Sequence, residues 1–291
     1  MEPLEASLLS ARRALRASWL VASACAAPLL GAPLGAQAAP VDLNDWSAES
    51  YPAVAGFGAG VWTPAVDGSS VHQSVNGQPT LYVSDFTAFG TDVRGSIQVN
   101  SNNDDDYIGF AIGYQPGDAS NASADYLLVD WKQTQQTFDF GDPSTTPGST
   151  AFEGLAVSRV SGIPTADEFW GHVNFDADAS GLQELARGVT LGGTGWDELT
   201  TYEFRFVFLP NSLMVFVDDQ LELSIDGSFS NGSLAFYNFS QADVTYSAFT
   251  IDPVPEPSSR ALMLVAAAAL GVLAHERGAL QRARSRMRLR G

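Results

Sequence analysis

Asp104-Asp105-Asp106-Tyr107-Ile108-Gly109-Phe110-Ala111-Ile112-Gly113-Tyr114-Gln115, answered by Val129-Asp130-Trp131-Lys132-Gln133, decides the fold of this 291-residue chain. Three adjacent carboxylates repel each other, so the run needs a reason to exist. Strict alternation follows directly behind them. Ile108, Phe110, Ile112 and Tyr114 share one face of an extended segment, and Gly109, Ala111 and Gly113 share the other. Glycines weaken a strand unless another backbone or a bulky ring packs closely over them. The stretch therefore predicts an acidic loop feeding a tightly packed strand. Tyr126 to Trp131 is a nearly continuous apolar run, as expected of a central strand.

Working outward, short strand signals alternate with Gly, Pro, Asn and Asp. Ile97 and Val99 share a face within Ser96 to Asn100, and Gly154 to Val160 is a further strand candidate. Tyr202, Phe204, Phe206 and Phe208 share one face, opposite Glu203, Arg205 and Val207. Pro210-Asn211-Ser212 turns the chain into Leu213 to Val217. Asp218-Asp219 forms a hairpin tip into Leu221, Leu223 and Ile225, with Glu222 and Ser224 outward. Gly232 to Phe239 and Tyr246 to Ile251 complete an antiparallel arrangement. One short helix is predicted over Ser180 to Arg187, with Ser180 as cap and Gln183 closing a capping box. Aromatic-bearing sheets without cysteine imply a face-to-face β-sandwich. The length between the chain's patterned ends favours a jelly roll over immunoglobulin-like sandwiches of ~100 residues.

Both ends are patterned. Arg12, Arg13 and Arg16 precede an apolar stretch from Trp19 to Leu34, and Ala36-Gln37-Ala38 is an A-x-A cleavage site. Residues 1–38 read as a secretory signal. The one cysteine, Cys25, lies inside it, so residues 39–252 form a domain without thiol chemistry. At the other end Pro255-Glu256-Pro257 is followed by an apolar run from Ala261 to Ala274 and an arginine-rich tail. That run is shorter than the ~17–25 residues that span a bilayer, though snorkelling Arg260 extends its reach.

Between Ala39 and Asp252 there are five cationic side chains against 29 carboxylates, a net charge of −24. Such a surface repels nucleic acid and anionic lipid, which excludes both as partners, and attracts divalent cations.

The acidic triplet with Gly109-Phe110, Gly113-Tyr114-Gln115 and Trp131-Lys132-Gln133 in register resembles the C-terminal domain of thrombospondins. So do Asp92 to Asn100, Ala156-Val157-Ser158, Phe169-Trp170, Gly195-Trp196 with Tyr202, and Phe239-Ser240-Gln241. The resemblance covers most of residues 80–251 and implies an antiparallel, lectin-like, concanavalin-like jelly roll that binds calcium in an extracellular matrix-like setting. The family's paired cysteines, calcium-wire repeats and growth-factor-like modules are absent, so the integrin-directed role does not carry over. Residues 253–291, in the order Pro-Glu-Pro, apolar helix, arginines, resemble the PEP-CTERM sorting signal of Gram-negative bacteria. That resemblance implies exosortase and the secretion machinery as partners, a transient membrane anchor through the C-terminal helix, and a cell-surface or matrix location.

Calcium takes six to eight oxygen ligands. Alternation along an extended stretch lets Asp104 and Asp106 share one ion, with Asp105 pointing elsewhere or lending its carbonyl. Because the Phe-Ser-Gln region is also patterned in the family, Asn238, Asp243 and the carbonyls around Ser240 are the expected second-loop ligands, and Asn102 and Asn103 could add neutral oxygens. Asp176-Ala177-Asp178-Ala179-Ser180-Gly181 matches the first half of an EF-hand loop. Its twelfth position is Arg187, where a bidentate Glu is required, so Asp176, Asp178 and Ser180 form a weaker metal candidate. Trp196, behind a glycine-rich segment, is the expected exposed platform for a sugar ring.

No enzyme is expected. His72 and His172 lie far apart, with no nucleophile signature and no zinc spacing. Glu222 and Asp226 share a strand face but stand ~13 Å apart, too far for glycoside hydrolysis. The expected function is calcium-dependent adhesion to extracellular polysaccharide or surface protein. The alternative is a carbohydrate-active enzyme on the same sandwich, with a cleft assembled from distant loops.

Overall fold

The computed structural model describes residues 38–141, 148–175 and 180–254. The signal sequence, the sorting signal with Pro255, Glu256 and Pro257, and the Asp176 and Asp178 positions lie outside the described residues. The strands in chain order are β1 (Ala39–Pro40), β2 (Ser47–Ser50), β3 (Trp62–Pro64), β4 (Ser70–Gln73), β5 (Thr80–Thr87), β6 (Thr91–Val99), β7 (Tyr107–Tyr114), β8 (Asp125–Lys132) and β9 (Gln136–Phe138). They continue with β10 (Ser149–Ala151), β11 (Gly154–Ser161), β12 (Gly181–Arg187), β13 (Thr201–Leu209), β14 (Ser212–Val217), β15 (Gln220–Asp226), β16 (Ser233–Phe239) and β17 (Val244–Pro253).

Two large antiparallel sheets pack face to face, and β9 pairs with β10 in a separate two-stranded ribbon. One runs β15-β14-β13-β6-β17-β4-β3 with β1 added on β17, and the other runs β12-β11-β8-β7-β16-β5-β2. This is the predicted all-β, lectin-like sandwich. The inner faces meet through the residues that alternation assigned inward: Ile108, Phe110 and Ile112 from one sheet, Phe204, Phe206 and Phe208 from the other. Phe110 is fully buried at the centre, edge-on to Phe206, Phe236 and Tyr246. Phe236 and Tyr246 stack across the sandwich at 4.4 Å.

The second sheet is buried on both faces. Its outer face carries Tyr107, Tyr126, Leu128, Tyr237 and Phe239, covered by Tyr51 and by the helix α1 (Ala166–Gly171) with Phe169 and Trp170. This second layer explains the small residues of β7. A Cβ at Gly109 would strike the Val129 carbonyl and the Asp130 backbone of β8. Gly113 has φ of 81°, where only glycine is comfortable, and the β16 register slips beside it. That bulge sends Tyr114 to the outer face instead of the inner face its alternation predicted. There it donates to Glu49 Oε2 at 2.6 Å.

The helix also moves. Gly181–Arg187 is strand β12, pairing antiparallel with β11, and Ser180 caps no helix. Its helical spacing lost to the open edge of β11, whose backbone groups need partners. The capping box sits at Thr165, whose hydroxyl accepts from Glu168 N while Thr165 N donates to Glu168 Oε2 at 2.8 Å. Glu222 differs as well. A bulge pairs Phe216 with Leu221 and Val215 with Leu223, skipping Glu222. Glu222 is buried and accepts from Thr190 N at 2.8 Å and Leu191 N at 3.1 Å. Its neighbour Leu221 faces solvent.

Candidate functional site

Strand order builds the site. β7 lies between β8 and β16, so its start meets the ends of both neighbours. Tyr107 is paired with Lys132 on one side and Phe239 on the other. The triplet at 104–106 therefore meets the segment after β8 and the segment after β16 at one end of the sheet's central strands. Asp106 N donates to Gln241 Oε1 at 2.9 Å across 135 residues of chain.

The carboxylates of Asp104, Asp105 and Asp106 each present an oxygen within 4.8 Å of the others. Asp106 is buried; Asp104 and Asp105 are half-buried. Burial first, then the negative Asp106 beside it, raises the Asp104 pKa to about 7. Burial also raises Asp106, against the opposing pull of Lys132 and the Ser240 hydroxyl. Burial and mutual repulsion that raise Asp104 and Asp106 are relieved by a bound cation, and carboxylate oxygens suit a hard divalent ion.

Lys132 enters this cluster from beneath. Its ammonium is fully buried and donates to Asp105 O and Asp106 Oδ1, both at 2.7 Å. Asp105 Oδ1 lies at 3.3 Å, Gln136 Oε1 at 3.5 Å, and the Trp170 ring centroid at 5.0 Å. On the outer side Asn76 Nδ2 donates to Asp104 Oδ2, and Ser240 Oγ donates to Asn76 Oδ1 at 3.4 Å.

The expected second loop does approach, through different atoms. Asn238 is fully buried in β16, and its Oδ1 accepts from the Tyr246 hydroxyl at 2.9 Å. Asp243 turns its carboxylate to His72, Oδ1 to Nε2 at 2.8 Å. From that segment Gln241 reaches the triplet through Asp106 N, and Ser240 reaches Asn76. Asn102 and Asn103 are exposed at the rim. Lys132 and Asn76 carried signals that the sequence could have flagged. Lys132 is the one lysine in the chain, and Asn76-Gly77 is a turn dipeptide.

Trp196 is not a platform. It is 1 % exposed, and its Nε1 donates to Asp106 O at 3.1 Å. The Leu191–Trp196 segment is docked on the strand ends, since Trp131 Nε1 also donates to Thr194 O at 2.7 Å. A loop position did not keep the indole exposed, because its ring packs into the inter-sheet core while its N–H satisfies the Asp106 carbonyl.

A second polar cluster lies under α1. His172 Nε2 meets Asp130 Oδ2 at 3.0 Å, and its Nδ1 meets Glu184 Oε2 at 3.3 Å. Burial alone would lower the His172 pKa, but the Asp130 carboxylate and Glu184 outweigh it and raise it to about 9. Burial opposes the fall at Glu184, yet hydrogen bonds from His172 and Arg187 bring its pKa to about 2. Both imidazole nitrogens face carboxylates. The raised pKa gives a sign. His172 adds stability that is fully present below its ordinary 6.5 and is lost as pH rises through about 9. Thermal melts between pH 6.5 and 9 should show a decline on the order of 3 kcal/mol, flattened in His172→Gln.

A family model described as "Thrombospondin C-terminal region" matches residues 59–253. Thrombospondin-3 of Mus musculus is 29% identical over 207 residues, covering 67% of this chain and 21% of that protein. Thrombospondin-2 of Homo sapiens is 26% identical over 197 residues, covering 64% and 16%. The chain thus spans about a fifth of the length of the curated relatives it matches. Among solved structures, a carbohydrate binding module, CBM66 from Bacillus subtilis, aligns with a TM-score of 0.46 at 11% identity over 72% of this chain and 95% of the module. The exoplasmic/lumenal domain of VIP36 in its Ca2+/mannose-bound form aligns with a TM-score of 0.42 at 12% identity over 74% and 85%. Both are likenesses of fold alone.

Proposed function

The chain belongs to the thrombospondin C-terminal region family, and from that premise we propose a calcium-binding adhesion module that holds extracellular polysaccharide or a surface protein. The observation that carries this reading is the gathering of Asp104, Asp105 and Asp106 within one ion's reach at the edge of the sandwich. Asp104 and the outer oxygen of Asp106 are the proposed carboxylate ligands, with Asn76 and Ser240 as neutral oxygens nearby. A calcium ion there offsets the repulsion that raises Asp104, and part of the −24 charge of residues 39–252.

Burial narrows where a ligand is held. The outer face of the second sheet lies under α1 and the segment around Tyr51. The binding surface is therefore assigned to the strand-end loops around the triplet rather than to the outer face of that sheet. Glu222 is locked to Thr190 and Leu191, so it does not form a catalytic carboxylate pair with Asp226. The N-terminal and C-terminal patterns support export, exosortase processing and a surface location. Peptides from residues 282–290 persisting in the mature surface protein would count against that address.

The test is a melting series on the purified full chain in calcium and in chelator, followed by a glycan array and a hydrolase screen under both conditions. Calcium at a hundred times its dissociation constant should add ~2.7 kcal/mol. Asp104→Ala should abolish that gain while costing little in chelator, because it removes a carboxylate that is already strained. An unchanged calcium response in Asp104→Ala would sink the site, and glycan hydrolysis would replace adhesion with the enzymatic alternative.

A further inference from the structure

We propose that Lys132 is the resident cation of the acidic site, holding Asp105 and Asp106 in place before any ion arrives and leaving Asp104 with the outer oxygen of Asp106 for one divalent ion. The calcium part rests on the reading above; the counter-ion part stands on geometry alone.

The Lys132 ammonium has the surroundings of a bound ion. Four oxygens face it, from Asp105 O, Asp106 Oδ1, Asp105 Oδ1 and Gln136 Oε1, and the face of Trp170 closes another side. Its side chain is 0% exposed, so water reaches none of it. A buried ammonium without partners costs several kcal/mol, as does a buried carboxylate. Each therefore needs the other, and the pair cannot be split cheaply.

Residue choice points the same way. Histidines aside, every other basic side chain between Ala39 and Asp252 is arginine, and Lys132 is the chain's one lysine. A guanidinium is a planar fork that prefers bidentate partners. The position at Lys132 demands a compact charge that meets a carbonyl and two carboxylates from different directions, as an ammonium does. The stem also enters along β8, fixed by the Tyr107 pairing, so the charge arrives at a set height above the strand ends.

The consequence concerns charge count. Three carboxylates would present −3 to solvent; with Lys132 tethered among them the site presents about −2 to an incoming ion. Full folding then does not wait for calcium, because the inner half of the site is already neutralised. Removing the ammonium should convert a calcium-assisted fold into a calcium-dependent one.

The experiment compares the full chain and Lys132→Met, melted in calcium and in chelator. Lys132→Met should lose on the order of 10 °C in chelator, and calcium should raise its melting temperature by more than it raises wild type. Equal losses in chelator and calcium would mean that Lys132 only packs, and would overturn the proposal. If wild type does not respond to calcium, the site reading above fails; a calcium response gained by Lys132→Met would still support the resident cation, and none would overturn it. Should Lys132→Met fail to fold, Lys132→Met with Asp106→Asn decides, since it removes both members of the pair. Recovery of folding in chelator supports the charge-pair account, and no recovery overturns it.

Discussion

Asp106→Ala is expected to lose about 3–5 kcal/mol even in chelator, the cost of stripping a buried ammonium of its nearest partner. Asp106 Oδ1 is 2.7 Å from Lys132 Nζ, and both groups are withdrawn from water. Asp105 is half-exposed and its carboxylate stands farther off at 3.3 Å, so it cannot take over the full contact. The change also removes a proposed calcium ligand, so calcium should not rescue the variant. The contrast with Asp104→Ala is the informative part. Both carboxylates belong to one triplet, yet the inner one should behave as structure and the outer one as ligand. Urea titrations of the two variants with and without calcium would read this directly. Equal losses in chelator would refute the division of the triplet.

Trp196→Ala should lose about 3–5 kcal/mol, the usual cost of deleting a large buried aromatic. The indole is 1 % exposed within the inter-sheet core, and its N–H satisfies the Asp106 carbonyl. Its removal leaves a cavity beside the triplet and an acceptor without its donor. The variant should therefore melt earlier and also weaken calcium binding, since the Asp106 backbone is no longer fixed. Trp196→Phe should keep much of the packing but lose the hydrogen bond, separating the two contributions. A Trp196→Ala chain with wild-type stability and impaired glycan binding would restore the exposed-platform expectation and contradict the burial seen here.

Much of this molecule was legible in its sequence because strands print their period directly. Ile108, Phe110 and Ile112, and Phe204, Phe206 and Phe208, were assigned to one face each, and they form the inter-sheet core. The Asp218-Asp219 turn was equally plain, and both residues adopt positive φ. Charge between residues 39 and 252 also comes from composition alone, as does the acidic triplet as a feature that needs an explanation.

Tertiary structure decided the rest, and in each case the reason is a partner distant in sequence. Gly181–Arg187 carries a spacing that suits a helix, but the unpaired edge of β11 made it a strand. Bulges beside Gly113 and at Glu222 break the alternation, which sends Tyr114 to the outer face and Glu222 inward. Trp196 is buried because it packs into the inter-sheet core, where its Nε1 also donates to the Asp106 carbonyl. Asn238 and Asp243 were good ligand types in the right segment, yet Tyr246 and His72 hold their oxygens. Local sequence sets which residues alternate and which repel. Strand order decides which meet, and here it placed the only lysine beneath three aspartates that composition alone left without a counter-charge.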